Sequence, residues 1–254
     1  IFLRALSAHQ RQQARAAGVD VSVKSGAVTF VQRFNSAWGL NIHCHVVVPD
    51  GVFSVDGDQA RFHRVPRPRD EDVEALLRKT AARTLRMLER ELGDDDNEES
   101  SALAQLAAAA LRPVARSGRE PESKRLTAFL DGFSLHAGTH LHENDRLGLE
   151  RLCRYGARGA IALSRLEELA DGRVSYHMKR PLPDGRTHLV MTGMELLRKL
   201  VPLIPPPRIH LTRFHGALAP NAKMRPSWSQ SPSRMRPYAL PSRQRARARC
   251  RRRR

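Results

Sequence analysis

Asn41-Ile42-His43-Cys44-His45-Val46-Val47-Val48 sets two histidines between Ile42, Cys44, Val46 and Val48, which alternate with them. That is the period of a half-buried strand. Residues two apart on a strand project to one face, so His43 and His45 stand together and form half of a divalent-metal site. Spacing alone is a weak signal. Eleven histidines in 254 residues produce about half a His-x-His by chance, and His140-Leu141-His142 is a second one. Context separates the two. The first lies in an apolar, β-branched run, whereas the second adjoins Glu143-Asn144-Asp145, a turn or helix start.

Working outward, Ala27 to Arg33 alternates as a strand, and Asn35 to Gly39 turns the chain into the histidine strand. Pro49-Asp50-Gly51 is a tight-turn signal, which predicts Val52 to Val55 as the hairpin partner of that strand. Upstream, residues 2–17 read as a helix with Phe2, Leu3 and Leu6 on one side and Arg4, Arg11 and Arg15 on the other. Downstream, Asp70 to Leu92 keeps Val73, Leu76, Leu77, Ala81, Leu85, Leu88 and Leu92 at helical spacing, with three acids at its positive end. An acidic loop over 94–99, an alanine-rich helix over 101–111 and a basic linker to Lys124 follow.

Leu126 to His136 reads as a strand, and Asn144 or Asp145 as the cap of a helix ending near Tyr155. Residues 173–179 and 187–191 make a hairpin around Pro183-Asp184-Gly185. Thr192-x-x-Glu195 is a capping box for a helix through Ile204, with Met194, Leu197, Leu200 and Val201 inward. Arg208 to Phe214 is a last strand. Hairpins alternating with helices predict an α+β fold, an antiparallel sheet covered by helices.

The net charge of +18 points to a polyanionic partner. Eleven of those charges are arginines of residues 225–254, which hold no acid, so the rest of the chain carries +7. The tail reads as a disordered basic appendage. Cys44, Cys153 and Cys250 form no Cys-x-x-Cys pair and read as free thiols of a reducing cytoplasm. No apolar run approaches a membrane span. No glycine-rich nucleotide loop or Ser-His-Asp order is present, which argues against nucleotide hydrolysis and acyl chemistry. The chain opens at Ile1 without a methionine, as a fragment would.

Gly26-Ala27-Val28-Thr29-Phe30-Val31-Gln32-Arg33-Phe34, Leu40 to His45 and Asp50-Gly51-Val52-Phe53 resemble the nuclease core of rolling-circle insertion-sequence transposases. These belong to the HUH superfamily, named for histidine-hydrophobic-histidine. The resemblance resumes at Leu130 to Ala137 and Leu149 to Tyr155, then at Asp184 to His188, Pro205 to Arg208 and Phe214 to Asn221. It covers residues 1–225 as one nuclease domain, with a helical insertion at about 70–125, and leaves 226–254 as the tail. It implies an RRM-like antiparallel sheet holding the histidines, with a tyrosine helix laid across it.

The implied reaction is nicking and rejoining of single-stranded DNA through a 5′-phosphotyrosine. Tyr155 is the nucleophile, and Mg²⁺ or Mn²⁺ is held by His43, His45 and a third polar group. Gln32 takes that place on the preceding strand, with His136 as its competitor. A tyrosine hydroxyl ionises near pH 10, at about that value in model peptides, so it or its target needs activation. Of the three tyrosines, Tyr176 sits in a hairpin strand as a packed aromatic would, and Tyr238 lies in the tail. Some relatives carry Tyr-x-x-x-Tyr on this helix. Arg151 holds the earlier position here, which implies the single-tyrosine branch.

Arg154, Arg158, Lys179, Arg180, Arg213 and His215 are candidate contacts to DNA at transposon ends and target. The resemblance also implies a protein of the bacterial cytoplasm, on the nucleoid when bound to DNA. Three other readings share some features: a replication initiator or relaxase, a catalytically inactive nucleic-acid-binding remnant, and a small histidine-metal enzyme on a β-barrel. The last fits the long helices poorly.

Overall fold

The computed structural model describes residues 1–19, 21–35, 37–56, 59–93, 125–179, 181–182, 184–205 and 207–224. The acidic loop, alanine-rich helix and basic linker read over 94–124, Arg180 and the tail from 225 lie outside them. The fold is α+β, and every strand pairing among the described residues is antiparallel.

The chain begins with α1 (Phe2–Ala16), followed by β1 (Val23–Lys24), β2 (Gly26–Phe34), β3 (Leu40–Val47), β4 (Gly51–Asp56) and β5 (Gln59–Arg64). Then come α2 (Asp70–Gly93), β6 (Thr127–Leu130), β7 (Phe133–His136) and α3 (Arg146–Gly156). The last elements are β8 (Leu166–Glu168), β9 (Val174–His177), β10 (His188–Met191), α4 (Gly193–Leu200) and β11 (Thr212–Gly216). Among the described residues the strands form four small sheets, ordered β11-β2-β3, β1-β4-β5, β10-β9-β8 and β6-β7.

The sheet that matters for the site is β11-β2-β3. Asn35 turns β2 into β3: its side-chain oxygen accepts from the backbone N–H of Ala37 and Gly39, at 3.0 and 2.9 Å. That local turn pins the register, and Gln32 lies opposite His43 while Phe30 lies opposite His45. β11 then adds to the other side of β2, with Phe214 opposite Val28. It begins four residues later than the reading of 208–214, because Arg208 takes a left-handed turn at φ 64°.

Three expectations need correction. First, β4 is not the partner of β3; it pairs with β1 and β5, and among the described residues β3 is a sheet edge. Second, residues 126–136 are a hairpin rather than one strand. Asp131 and Gly132 have φ of 46° and 80°, the two positive angles of a primed two-residue turn. Third, the last helix ends at Leu200 and tightens into a 3-10 turn over Val201–Leu203, where Pro202 has no N–H to donate. Leu196, Leu200 and Leu203 pack inward there, and Met194, Leu197 and Val201 face solvent.

The capping box of Thr192 and Glu195 and the Asp145 cap of α3 form as read. In α2 the described side chains that are buried are Val73, Leu76, Leu77 and Ala81; Leu85 is exposed. In α1 the buried residues are Ala5, Gln10 and Ala14, so its inward face is rotated from the Phe2-Leu3-Leu6 side. Among the described residues, no helix is long and apolar enough to cross a membrane.

Candidate active site

Register parity decides which side chains share the histidine face. On β3, His43 and His45 project with Gln32 and Phe30 of β2 opposite them. The two imidazole centroids are 5.1 Å apart in an edge arrangement. Asn41 carbonyl oxygen lies 3.0 Å from His43 Nδ1. A carbonyl only accepts, so in the neutral ring Nδ1 carries the proton and Nε2 keeps its lone pair. Burial first, then His43, then Arg158, hold His45 below the usual imidazole range, which favours its neutral form.

Helix α3 is laid on this face by two devices in β2. The Gln32 side chain is almost fully buried, and its Nε2 donates to the carbonyls of Tyr155 and Gly156, both at 2.9 Å. Two carbonyl partners fix the orientation of the amide. Gly156 packs directly on the Phe30 ring, and a Cβ there would sit 2.6 Å from Phe30 Cδ2. Gly156→Ala is therefore expected to push α3 off the sheet at a cost of about 1–3 kcal/mol, measured by urea denaturation. An unchanged midpoint would show that the close approach is dispensable.

The result is that Tyr155 reaches His45. Its ring centroid lies 5.1 Å from that of His45, edge to face, although the two are far apart in the chain. The tyrosine stays 42% exposed. Tyr176, by contrast, is 4% exposed and stacked at 4.1 Å on Trp38, a core aromatic. The guanidinium of Arg158 lies 4.4 Å above the Tyr155 ring, a cation–π contact that also sets a positive charge beside the hydroxyl-bearing ring.

Two polar atoms on this face are buried without a hydrogen-bond partner among the described residues: Gln32 Oε1 and His45 Nε2. Orphaned buried polar atoms are costly unless something fills them. With His43 Nε2 they make a neutral set of two imidazole nitrogens and one amide oxygen, which fits a divalent cation. Among the described residues no cluster of three His, Cys, Asp or Glu exists, so a cation held here would take the amide oxygen as its third donor. His136 is not brought here. It lies on β7 in the β6-β7 hairpin, against Thr127 and Phe129.

The other expected contacts separate. Arg158 joins the site, and Arg154 lies on the same helix but pairs with Glu150. Arg213 and His215 have the opposite parity on β11: they share the face of Thr29 and Ala27, away from the His43–His45 pair. Alternation puts Arg213 and His215 on one face of β11, and only the pairing with β2 decides that this is the face opposite the histidines. Lys179 is exposed just beyond β9, in a different sheet. Among residues not singled out from sequence, Phe30 and Gly156 build the contact that seats α3. A glycine directly after Tyr155 within a helix was the available signal.

A family model described as "Putative transposase" matches residues 26–225. The chain belongs to this transposase family. The match begins at β2 and spans both histidines, Gln32 and Tyr155, so the face described above lies wholly within the transposase region. No curated protein and no solved structure matches. Family membership implies a DNA partner and a role in transposition.

Proposed function

We propose that this transposase nicks and rejoins single-stranded DNA through Tyr155, as the HUH rolling-circle transposases it resembles do. The observation that carries the proposal is the Tyr155 ring, exposed yet held 5.1 Å from His45 on a face with unpaired buried polar atoms. Core packing gives no reason for an exposed tyrosine to meet His45. Arg151 stands four residues before it, so one tyrosine serves the helix, in the single-tyrosine manner.

Tyr155 Oη attacks the phosphorus of the scissile phosphodiester, loses its proton to solvent, and forms the new P–O bond. The bond from phosphorus to the 3′ oxygen breaks, and that oxygen takes a proton and leaves as a 3′-hydroxyl. The 5′-phosphotyrosine keeps the bond energy, so attack by a 3′-hydroxyl reverses the step and rejoins the strand. A Mg²⁺ or Mn²⁺ ion held by His43, His45 and Gln32 would polarise the phosphoryl oxygens and offset their developing charge. Arg158 supplies a fixed cation beside the nucleophile. Gln32 and Gly156 hold the tyrosine helix against the sheet.

The test is incubation with single-stranded end oligonucleotides and Mn²⁺, followed by denaturing electrophoresis for a covalent adduct. His43→Ala and His45→Ala should each raise the Mn²⁺ concentration needed for half-maximal adduct. The shift should exceed the roughly 10–100-fold cost of losing an outer-sphere partner. A metal dependence that survives both changes would refute the ligand set.

A further inference from the structure

The back of the β11-β2-β3 sheet carries a second feature. An open cleft of about 500 Å³ lies between α1, α2 and the Gly26/Gly216 end of the sheet. That volume falls within the roughly 300–1,000 Å³ of small-ligand sites. Its cationic wall is Arg4 and Arg11 of α1 and Arg83 of α2, with His215 of β11 beside them. Arg4, Ser7 and Arg11 follow one another at three and four residues, so they form one stripe of α1. All three arginines are exposed, their side chains have no ion pair or hydrogen bond among the described residues, and no carboxylate lines the cleft.

Two further atoms here lack partners among the described residues. Gln10 is 6% exposed; its Nε2 donates to the Pro49 carbonyl, which leaves its Oε1 buried and unpaired. His215 Nε2 is also buried and unpaired. The other wall is apolar, formed by Leu3, Leu6 and Ala27.

We infer that this cleft binds one nucleotide of a single-stranded DNA, with its flanking phosphates on Arg4, Arg11 and Arg83 and its base against Leu3, Leu6 and Ala27. Cations without partners suit phosphates, an apolar wall suits a base face, and the Gln10 oxygen suits a base amino group. His215 supplies a ring N–H in its neutral form, because burial and Arg213 lower its basicity. The cleft and the Tyr155 face lie on opposite sides of one sheet. Four residues of β2 separate Phe30 from Gly26, about 13 Å at strand rise. A DNA strand that engages both therefore wraps the sheet. The inference rests on the proposed single-stranded DNA substrate but not on the nicking chemistry.

Fluorescence anisotropy of a labelled single-stranded oligonucleotide with the full chain in EDTA tests it without any cleavage. Replacing Arg4, Arg11 and Arg83 together by glutamine should weaken binding. It should also reduce the slope of log affinity against log salt by about 1.4, two phosphates at about 0.7 each. All three side chains are exposed, and an unchanged melting temperature will show that the fold is kept. A parallel change of Arg165, Lys199 and Arg208, which lie outside the cleft, should leave more of the slope intact; an equal loss would overturn the site in favour of general charge. Ala8→Glu, which sets a carboxylate on the cleft wall, should weaken binding as well. Deoxyadenosine monophosphate should compete better than inorganic phosphate, and equal competition would overturn the base wall. Full affinity in the triple variant refutes the cleft and leaves the nicking proposal standing. Failure of the unaltered chain to form an adduct, with the cleft effect present, refutes nicking alone.

Discussion

Tyr155→Phe is expected to abolish the covalent DNA adduct while leaving folding and single-strand binding nearly unchanged. The substitution keeps the ring that meets His45 at 5.1 Å and lies under Arg158 at 4.4 Å, and removes only the attacking oxygen. The tyrosine is 42% exposed, and no hydrogen bond from its hydroxyl to a described residue is present, so no buried partner is orphaned. The loss should therefore appear in adduct yield, with a shift in melting temperature near zero. Tyr176→Phe is the control. It changes a ring buried against Trp38 in a different sheet, and adduct yield should stay at the level of the unaltered chain. Adduct formed by the Tyr155→Phe protein would disprove the assignment and make Tyr176 the next residue to test.

The second large effect belongs to Gln32. Gln32→Leu keeps a side chain of similar bulk but removes both hydrogen bonds to the Tyr155 and Gly156 carbonyls. Each buried acceptor left unpaired costs about 1–3 kcal/mol, so the pair together costs about 2–4 kcal/mol once partial relaxation is allowed. For a chain of this size that lowers Tm by ~4–16 °C. The same change removes the orphaned Oε1 from the histidine face. Adduct yield should fall even at temperatures where the variant remains folded, because α3 loses its anchor and the cation loses a donor. Gln32→Leu with the Tm and activity of the unaltered chain would show that neither role is real.

Much of the local structure was legible from sequence because it rests on short-range chemistry. The Asn35 turn, the Asp145 cap, the Thr192–Glu195 capping box and the apolar start of α2 are each specified by residues a few positions apart. Alternation in β3 placed His43 and His45 on one face, and the turn before it set Gln32 opposite His43. Asp131-Gly132 was equally local and equally readable; its hairpin was missed because the flanking runs are only four residues each.

Sequence by itself determined the α+β class, the histidine strand, its β2 partner and a helix ending at Tyr155. Tertiary structure decided what those faces meet. Periodicity records which residues share a side but not which neighbour covers it, so β4 chose β1 and β5, and Arg213 and His215 fell on the back of the sheet. The meeting of Tyr155 with His45 is likewise a long-range result. It depends on Gln32 Nε2 holding the two last carbonyls of α3, and on Gly156 having no Cβ to keep that helix away from Phe30.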